Sequence, residues 1–148
     1  MRFSKNDIIA VIPHRPPVLL IDEIQDVQFR KRGVGVRRIT ADDDFIGTYL
    51  PPEGIMPRTL LIEALAQTAA FVAAGGKLMP GAEQGDYPTI GYLVRIADVF
   101  FSGDARQGDT IRLFVDLVSS LGAVYKFAGV VRVGDIEICR GNLTFSVA

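Results

Sequence analysis

Residues 57–74 read PRTLLIEALAQTAAFVAA, and this stretch is predicted to form one long helix around which the rest of the chain folds. Proline is favoured at a first helical position, because its missing N–H would be unpaired there in any case. Leucine and alanine are strong helix formers, and the glycine pair at 75–76 is a typical helix end. Because apolar residues surround nearly the whole circumference, we expect a buried helix rather than a surface one.

A narrow polar stripe interrupts this apolar helix. Thr59, Glu63 and Gln67 are spaced four apart and therefore lie on one helix face. A buried carboxylate is costly unless it is paired or hydrogen-bonded, so Glu63 is the first candidate functional residue. The alternative is a purely structural role, in which Gln67, Thr59 or an arginine satisfies a buried Glu63 carboxylate.

Composition excludes several classes of protein. The 148 residues, of which 49% are hydrophobic, fit a single domain over residues 1–148. A net charge of -1 without a basic block gives no electrostatic case for nucleic acid. Residues 1–7 lack the apolar core of a signal peptide, and no apolar span of about 20 residues is free of polar side chains, so we expect no membrane segment.

The chain has one cysteine, Cys139, so it cannot form an intrachain disulfide. This is consistent with a cytoplasmic location. Cys139 lies in an alternating apolar run, and no histidine is near it in the sequence. We therefore interpret Cys139 as a packed core thiol rather than a nucleophile.

Secondary structure around the long helix follows from capping signals and alternation. Ser4 is predicted to cap a short helix through Ile12, with Asp7 completing a capping box. Two strands should follow, and four more should come after the long helix. The predicted strands span residues 18–29, 34–39, 89–101, 110–119, 123–133 and 137–147.

Short turns between the last four strands indicate an antiparallel meander. The predicted class is α+β, with a strongly curved sheet wrapped around the helix. One such sheet leaves exposed edges and part of the helix open, which favours a homodimer or larger homo-oligomer. The consecutive aspartates at 42–44 do not alternate as calcium-loop ligands do, so we expect no metal site, and nothing in the sequence indicates a cofactor.

Three segments follow, in order, the motifs of one known family. Residues 13–22, PHRPPVLLID, match the motif P-H-R-x-P-x-L-L-x-D. Residues 45–67 are similar to F-x-G-H-F-P followed by I-x-P-G-x-L-x-x-E-A-x-A-Q. Residues 96–109 are similar to I-x-x-x-x-F … P-G-D. In these segments the chain resembles the beta-hydroxyacyl-acyl carrier protein dehydratases of bacterial fatty acid synthesis. The resemblance covers nearly the full length. It implies the hot-dog fold, with active sites at a dimer interface.

The family's catalytic pair is a histidine of the F-x-G-H-F-P motif and the glutamate of the helix, contributed by opposite subunits. The glutamate corresponds to Glu63, whereas the histidine position is Thr48 in this chain. The glycine at the start of the family's helix is Arg58 here. The resemblance implies that Glu63 is catalytic and that a substrate-binding set surrounds it: Thr48, Tyr49, Arg58, Thr59 and Gln67. Backbone N–H groups of residues 58–60 are candidates to polarise a thioester carbonyl.

Three functions remain open. The first is a 3-hydroxyacyl-thioester dehydratase acting on acyl carrier protein or coenzyme A thioesters, in which Glu63 acts on the hydroxyl and His14, Tyr49 or another group replaces the missing base. The second is a thioesterase in which Glu63 activates water and no histidine is needed. The third is a non-catalytic protein that binds acyl groups or acyl carrier protein, or stabilises a partner subunit.

His14, in the opening motif, is interpreted first as a structural residue that fixes the proline-rich turn through ring hydrogen bonds; an acid or base role is the alternative. Four apolar side chains are candidates either for an acyl tunnel or for plain core: Phe71, Leu93, Phe100 and Phe101.

Overall fold

The computed structural model describes residues 1–43, 54–82 and 91–147. Within these ranges the chain forms two α-helices and six strands in the predicted order. Their bounds are α1 Lys5–Ile9, β1 Glu23–Gln28, β2 Arg32–Arg38, α2 Arg58–Ala74, β3 Gly91–Phe101, β4 Thr110–Leu121, β5 Val124–Val133 and β6 Ile136–Val147. A 3-10 turn, Gly75–Leu78, follows α2.

The six strands form one antiparallel sheet in the order β1-β2-β4-β5-β6-β3. The predicted meander is confirmed for β4, β5 and β6, which pair with their sequence neighbours. It is wrong for β3, which pairs with β6, for example through Leu93 and Phe145. The edge of β4 that β3 would occupy is taken by β2, where Val34 lies opposite Phe114. Strand β3 therefore forms the far edge of the sheet.

Helix α2 is the centre of the molecule and contacts all six strands. On one side it packs on a core that includes the fully buried Leu65, Phe127 and Leu143. On the other side α1 and β1 cover it, and Phe3, Phe29 and Phe71 meet with ring centroids 5.3 to 5.9 Å apart. The predicted α+β class is confirmed, and the helix is apolar all round because it is covered on both sides.

Helix α2 with its 3-10 extension is long and apolar enough to match a membrane span by length and composition. Most of its apolar surface is instead buried against the sheet and α1. Its composition is accounted for by its place in the core.

Three predicted boundaries need correction. Pro57 is the N-cap residue of α2 rather than its first helical residue. The capping box of Ser4 and Asp7 is confirmed, but α1 ends at Ile9 because the chain turns from Ala10 onward. The predicted strand at residues 18–29 is wrong in its first part, since regular pairing begins only with β1.

The backbone of β2 approaches α2 so closely that only glycine fits at two positions. A Cβ atom on Gly35 would lie 2.4 Å from Thr68 Oγ1, and one on Gly33 would lie 2.6 Å from Val72 Cγ2. Both distances are far inside van der Waals contact. These two glycines allow the helix to lie directly on the strand.

Gly35→Ala is expected to lower the free energy of unfolding by about 1–3 kcal/mol, because the added methyl overpacks the helix–strand contact. In a Thr68→Ala background the added cost should be smaller, since the clashing Oγ1 and Cγ2 atoms are gone. Urea denaturation followed by circular dichroism measures both. Val118→Ala, on an exposed part of β4, is the control and should change stability by about 0.5 kcal/mol or less. An equal cost of Gly35→Ala in both backgrounds would contradict the proposed contact.

Candidate active site

Glu63 lies on α2 one turn after Thr59. Its neighbours in the chain, Ile62 and Ala64, are buried, whereas 35% of the Glu63 side chain is exposed. The expected burial of this carboxylate is therefore only partial. The polar stripe of the helix reaches an opening in its covering, and Glu63 can meet both protein and solvent there.

Gln67 holds Glu63 in place and is itself almost fully buried, with 1% of the residue exposed. Its Nε2 donates to Glu63 Oε1 at 3.0 Å and to the Val18 carbonyl at 2.8 Å. Its Oε1 accepts the Leu20 N–H at 2.8 Å. The amide thus uses both donors and its acceptor, which satisfies a buried polar group. The predicted Glu63–Gln67 pair on one helix face is confirmed.

These hydrogen bonds explain why residues 18–22 do not continue into a strand. The backbone groups of Val18 and Leu20 bond to the Gln67 amide, where a strand would bond to a neighbouring strand. The apolar side chains of Leu19 and Leu20 are buried, as a strand reading required, but the main chain is fixed to the helix.

His14 lies beside the same carboxylate. Its Nε2 is 3.6 Å from Glu63 Oε1, and 30% of the His14 side chain is exposed. Its Nδ1 is buried, and no hydrogen-bond partner for it is found among the described residues. The structure therefore brings together Glu63, Gln67 and His14, of which the sequence placed only the first two on one surface.

The turn at residues 13–17 is held by Arg15. The Arg15 guanidinium donates to the carbonyls of Ile9, Ile12 and His14 at 2.9 to 3.1 Å. The Arg15 carbonyl in turn accepts the Val18 N–H at 2.8 Å. The first interpretation of His14, as the residue that fixes this turn through ring hydrogen bonds, finds no such bond in the described residues.

Arg58 and Thr59 lie in the first turn of α2 and are exposed. The Arg58 side chain turns away along the sheet: its Nε donates to Asp104 Oδ1 at 2.9 Å, and its guanidinium lies 5.7 Å from the Phe101 ring centroid. Of the predicted carbonyl-binding N–H groups, that of Leu60 is already bonded to the Pro57 carbonyl at 2.9 Å. Only residues 58 and 59 remain as candidate donors.

Two predicted site residues, Thr48 and Tyr49, lie outside the described residues. The apolar tunnel candidates do not share one environment. Phe71 belongs to the core beneath α1, Phe101 is partly buried near Arg58, and Leu93 and Phe100 are exposed on β3.

Cys139 is fully buried, and its desolvation raises the pKa of the thiol to about 11, with Glu137 adding to the shift. It behaves as the predicted core thiol, because the thiolate that a nucleophile needs is disfavoured there.

The family model described as FabA-like domain matches residues 12–142. The chain belongs to the FabA-like family. It is 33% identical over 147 residues to the 3-hydroxyacyl-[acyl-carrier-protein] dehydratase FabZ of Alkaliphilus metalliredigens, covering 99% of this chain and 95% of that protein. It is 35% identical over 137 residues to the FabZ of Bacillus pumilus, covering 93% and 90%.

Solved structures agree in fold. The dehydratase heterocomplex ApeI:P of Xenorhabdus doucetiae superposes with a TM-score of 0.78 at 19% identity, covering 95% of this chain and 90% of that chain. A hypothetical thioesterase of Streptococcus pneumoniae, solved with coenzyme A, gives 0.61 at 10% identity, covering 97% and 92%. The FabA-like chain therefore has the hot-dog fold that the resemblance implied.

Sequence reasoning named His14 as one candidate base in this FabA-like site but did not predict its position beside Glu63. His14 and Glu63 are 49 positions apart, and no spacing rule connects a loop with a helix at that distance. The signal that could have indicated this position is the apolar run after His14. Because this run has to pack on α2, it brings the preceding loop close to the polar stripe of the helix.

Gln67→Leu is expected to lower the free energy of unfolding by roughly 1–3 kcal/mol, because the buried Leu20 N–H and the partly buried Val18 carbonyl lose their partner. It should also release Glu63 from its hydrogen bond. Chemical denaturation measures the loss. The exposed Gln107 offers the matched control, and Gln107→Leu should leave stability nearly unchanged. A cost below about 0.5 kcal/mol for Gln67→Leu would show that its hydrogen bonds are not what fixes the opening segment.

Proposed function

We propose that this chain is a 3-hydroxyacyl-thioester dehydratase whose acid–base carboxylate is Glu63. The observation that carries the proposal is a carboxylate about one-third exposed (35%), oriented by a fully satisfied buried amide, on a helix that is otherwise core. Orientation by a second polar group is what acid–base catalysis requires. The FabZ relatives support the choice of reaction, since their names state dehydration of 3-hydroxyacyl groups on acyl carrier protein.

Dehydration removes a proton from C2 of the acyl chain and a hydroxyl from C3. Glu63 is assigned to the hydroxyl, which leaves as water after it receives a proton. The backbone N–H groups of Arg58 and Thr59, at the positive end of α2, are proposed to polarise the thioester carbonyl and so to increase the acidity of C2. Acyl carrier protein is proposed as the carrier, and coenzyme A is the alternative. The cytoplasm is the proposed location.

A thioesterase is the second candidate, because Thr48 stands where the family's histidine is expected. A single carboxylate such as Glu63 can activate a water molecule, with the same helix N–H groups stabilising the oxyanion. The likeness to the Streptococcus pneumoniae protein supports only the fold at 10% identity. The two reactions leave different products and can be separated directly.

We further propose that the chain forms a homodimer through β3. This strand is at the edge of the sheet among the described residues and carries large exposed apolar side chains. They are Tyr92, Leu93, Val94, Ile96 and Phe100. A long apolar edge strand favours pairing with another chain. The name of the ApeI:P heterocomplex makes a non-identical partner the competing possibility.

Purified protein is expected to convert 3-hydroxyacyl-acyl carrier protein to the enoyl product, measured by ultraviolet absorbance, without releasing free thiol. Glu63→Gln should lower kcat by about 100-fold or more, because general acid catalysis contributes about that factor. Glu137→Gln is the control, since the Glu137 carboxylate accepts its hydrogen bonds from the exposed Arg140, away from Glu63. Thiol release without enoyl product would favour the thioesterase. If neither product appears with carrier-protein or coenzyme A substrates, both catalytic proposals fail and a binding role is left.

Light scattering is expected to give about twice the chain mass of 16.1 kDa. Ile96→Asp should shift the protein to monomer, because a charge on the apolar edge opposes pairing. Leu121→Asp, at an exposed hairpin end that is 85% accessible, is the control and should remain dimeric. A monomeric wild-type protein would overturn the homodimer.

A further inference from the structure

We propose that His14 supplies the second proton-transferring group of this site, so that base and acid come from the same chain. The inference rests on the dehydratase proposed above and adds to it the identity of the missing base. In the resemblance described earlier, the family's histidine belongs to the loop of the opposite subunit, and that position is Thr48 here. His14 is the chain's only histidine.

The two groups face the same opening. His14 Nε2 and Glu63 Oε1 are 3.6 Å apart, and about a third of each side chain is exposed, 30% and 35%. Two proton-carrying atoms at this separation can both reach adjacent carbons of one acyl chain. Gln67 holds Oε1 from the buried side, which leaves the rest of the carboxylate free to meet a ligand.

Among the described residues, no hydrogen bond gives the His14 ring a structural role. The turn around it is fixed by Arg15, whose guanidinium donates to the backbone carbonyls of Ile9, Ile12 and His14. The following segment is fixed by Gln67 through Val18 and Leu20. The loop is therefore fixed by contacts that do not involve the imidazole. A catalytic group should be held on such a rigid support.

The hydrogen-bonding of the ring points the same way. A histidine kept for structure usually has partners at both nitrogens. Nδ1 of His14 is buried with no partner among the described residues, and Nε2 is directed to a carboxylate at more than ordinary hydrogen-bond distance. A buried polar atom without a partner calls for an explanation, and a catalytic role is one such explanation.

The proposed reaction starts with neutral His14 and protonated Glu63, and its protons balance between these two groups. Neutral His14 takes the C2 proton at Nε2, and the electrons of the C2–H bond pass to the thioester carbonyl as an enolate, from which they return to form the C2=C3 double bond. The C3–O bond breaks as Glu63 donates its proton to the departing oxygen, and water leaves. The pair ends as imidazolium and carboxylate, and transfer of the proton from Nε2 to the adjacent carboxylate restores both groups without a co-reactant.

His14→Gln tests this role, because the glutamine amide can still donate to Glu63 but cannot act as a base. We expect His14→Gln to lower kcat for dehydration by about 100-fold or more and to leave KM within about threefold of the wild-type value. His14→Ala should lower kcat by the same factor. A positioning role alone predicts that His14→Gln retains most of the activity that His14→Ala loses. Retention of kcat within about tenfold in His14→Gln would therefore overturn the proposal.

Exchange of the C2 proton with deuterium from D2O separates the base from the acid. Recovered 3-hydroxyacyl substrate should carry deuterium at C2 after incubation with Glu63→Gln, in which the base remains, and should carry little after incubation with His14→Gln. Exchange in His14→Gln at the rate of the wild-type protein would show that another group removes the proton.

The pair itself can be tested without activity, since the chain has one histidine and its Cε1–H proton gives one assignable NMR signal. That signal should move in Glu63→Gln and stay in place in the control Glu137→Gln. If it does not move, the pair is absent in solution and the proposal is overturned. If it moves but the wild-type protein dehydrates neither carrier, the proposed function fails together with the catalytic role, and the pair stands only as a structural feature.

Discussion

Coverage of α2 on every side is the constraint on which the rest of the structure depends. A helix of leucine, alanine and phenylalanine cannot face water without losing the burial that stabilises it, at about 25 cal/mol for each Å² of apolar surface. The sheet covers it from one side, and α1 with the Phe3–Phe29–Phe71 cluster covers it from the other. Close contact then requires the bare backbone of Gly33 and Gly35. Strand order, glycine positions and the small N-terminal helix are all consequences of this one requirement.

A polar stripe on such a helix is tolerated only where its groups find partners. The Gln67 amide forms hydrogen bonds with the backbone of Val18 and Leu20 and still has one N–H to donate to Glu63. The same amide therefore closes the covering of the core and orients the carboxylate at its opening. Fold and site are joined here by a single side chain, which explains why an amide is present in the middle of an apolar core.

Local features of the chain were predictable because they depend on periodicity and capping. The long helix, the Ser4 capping box and the Glu63–Gln67 pair all follow from residues no more than four apart, apart from a one-residue shift at Pro57. Features that depend on partners distant in the sequence were not predictable in this way. Alternation in β3 shows that it is a strand but not that β6 is its neighbour, and the apolar run after His14 resembles a strand although its backbone bonds to a glutamine.

The placement of His14 is the clearest case of this limit, and it also changes how the substitution at Thr48 is understood. Judged from motifs alone, loss of a histidine from a two-residue catalytic pair removes half of the chemistry. In the folded chain the His14 imidazole lies 3.6 Å from the remaining carboxylate, on a loop that Arg15 and Gln67 hold without its help. Proton transfer depends on the distance and accessibility of the groups rather than on which loop carries them. A chain can therefore lose a motif residue and keep the pair of groups that the motif represents.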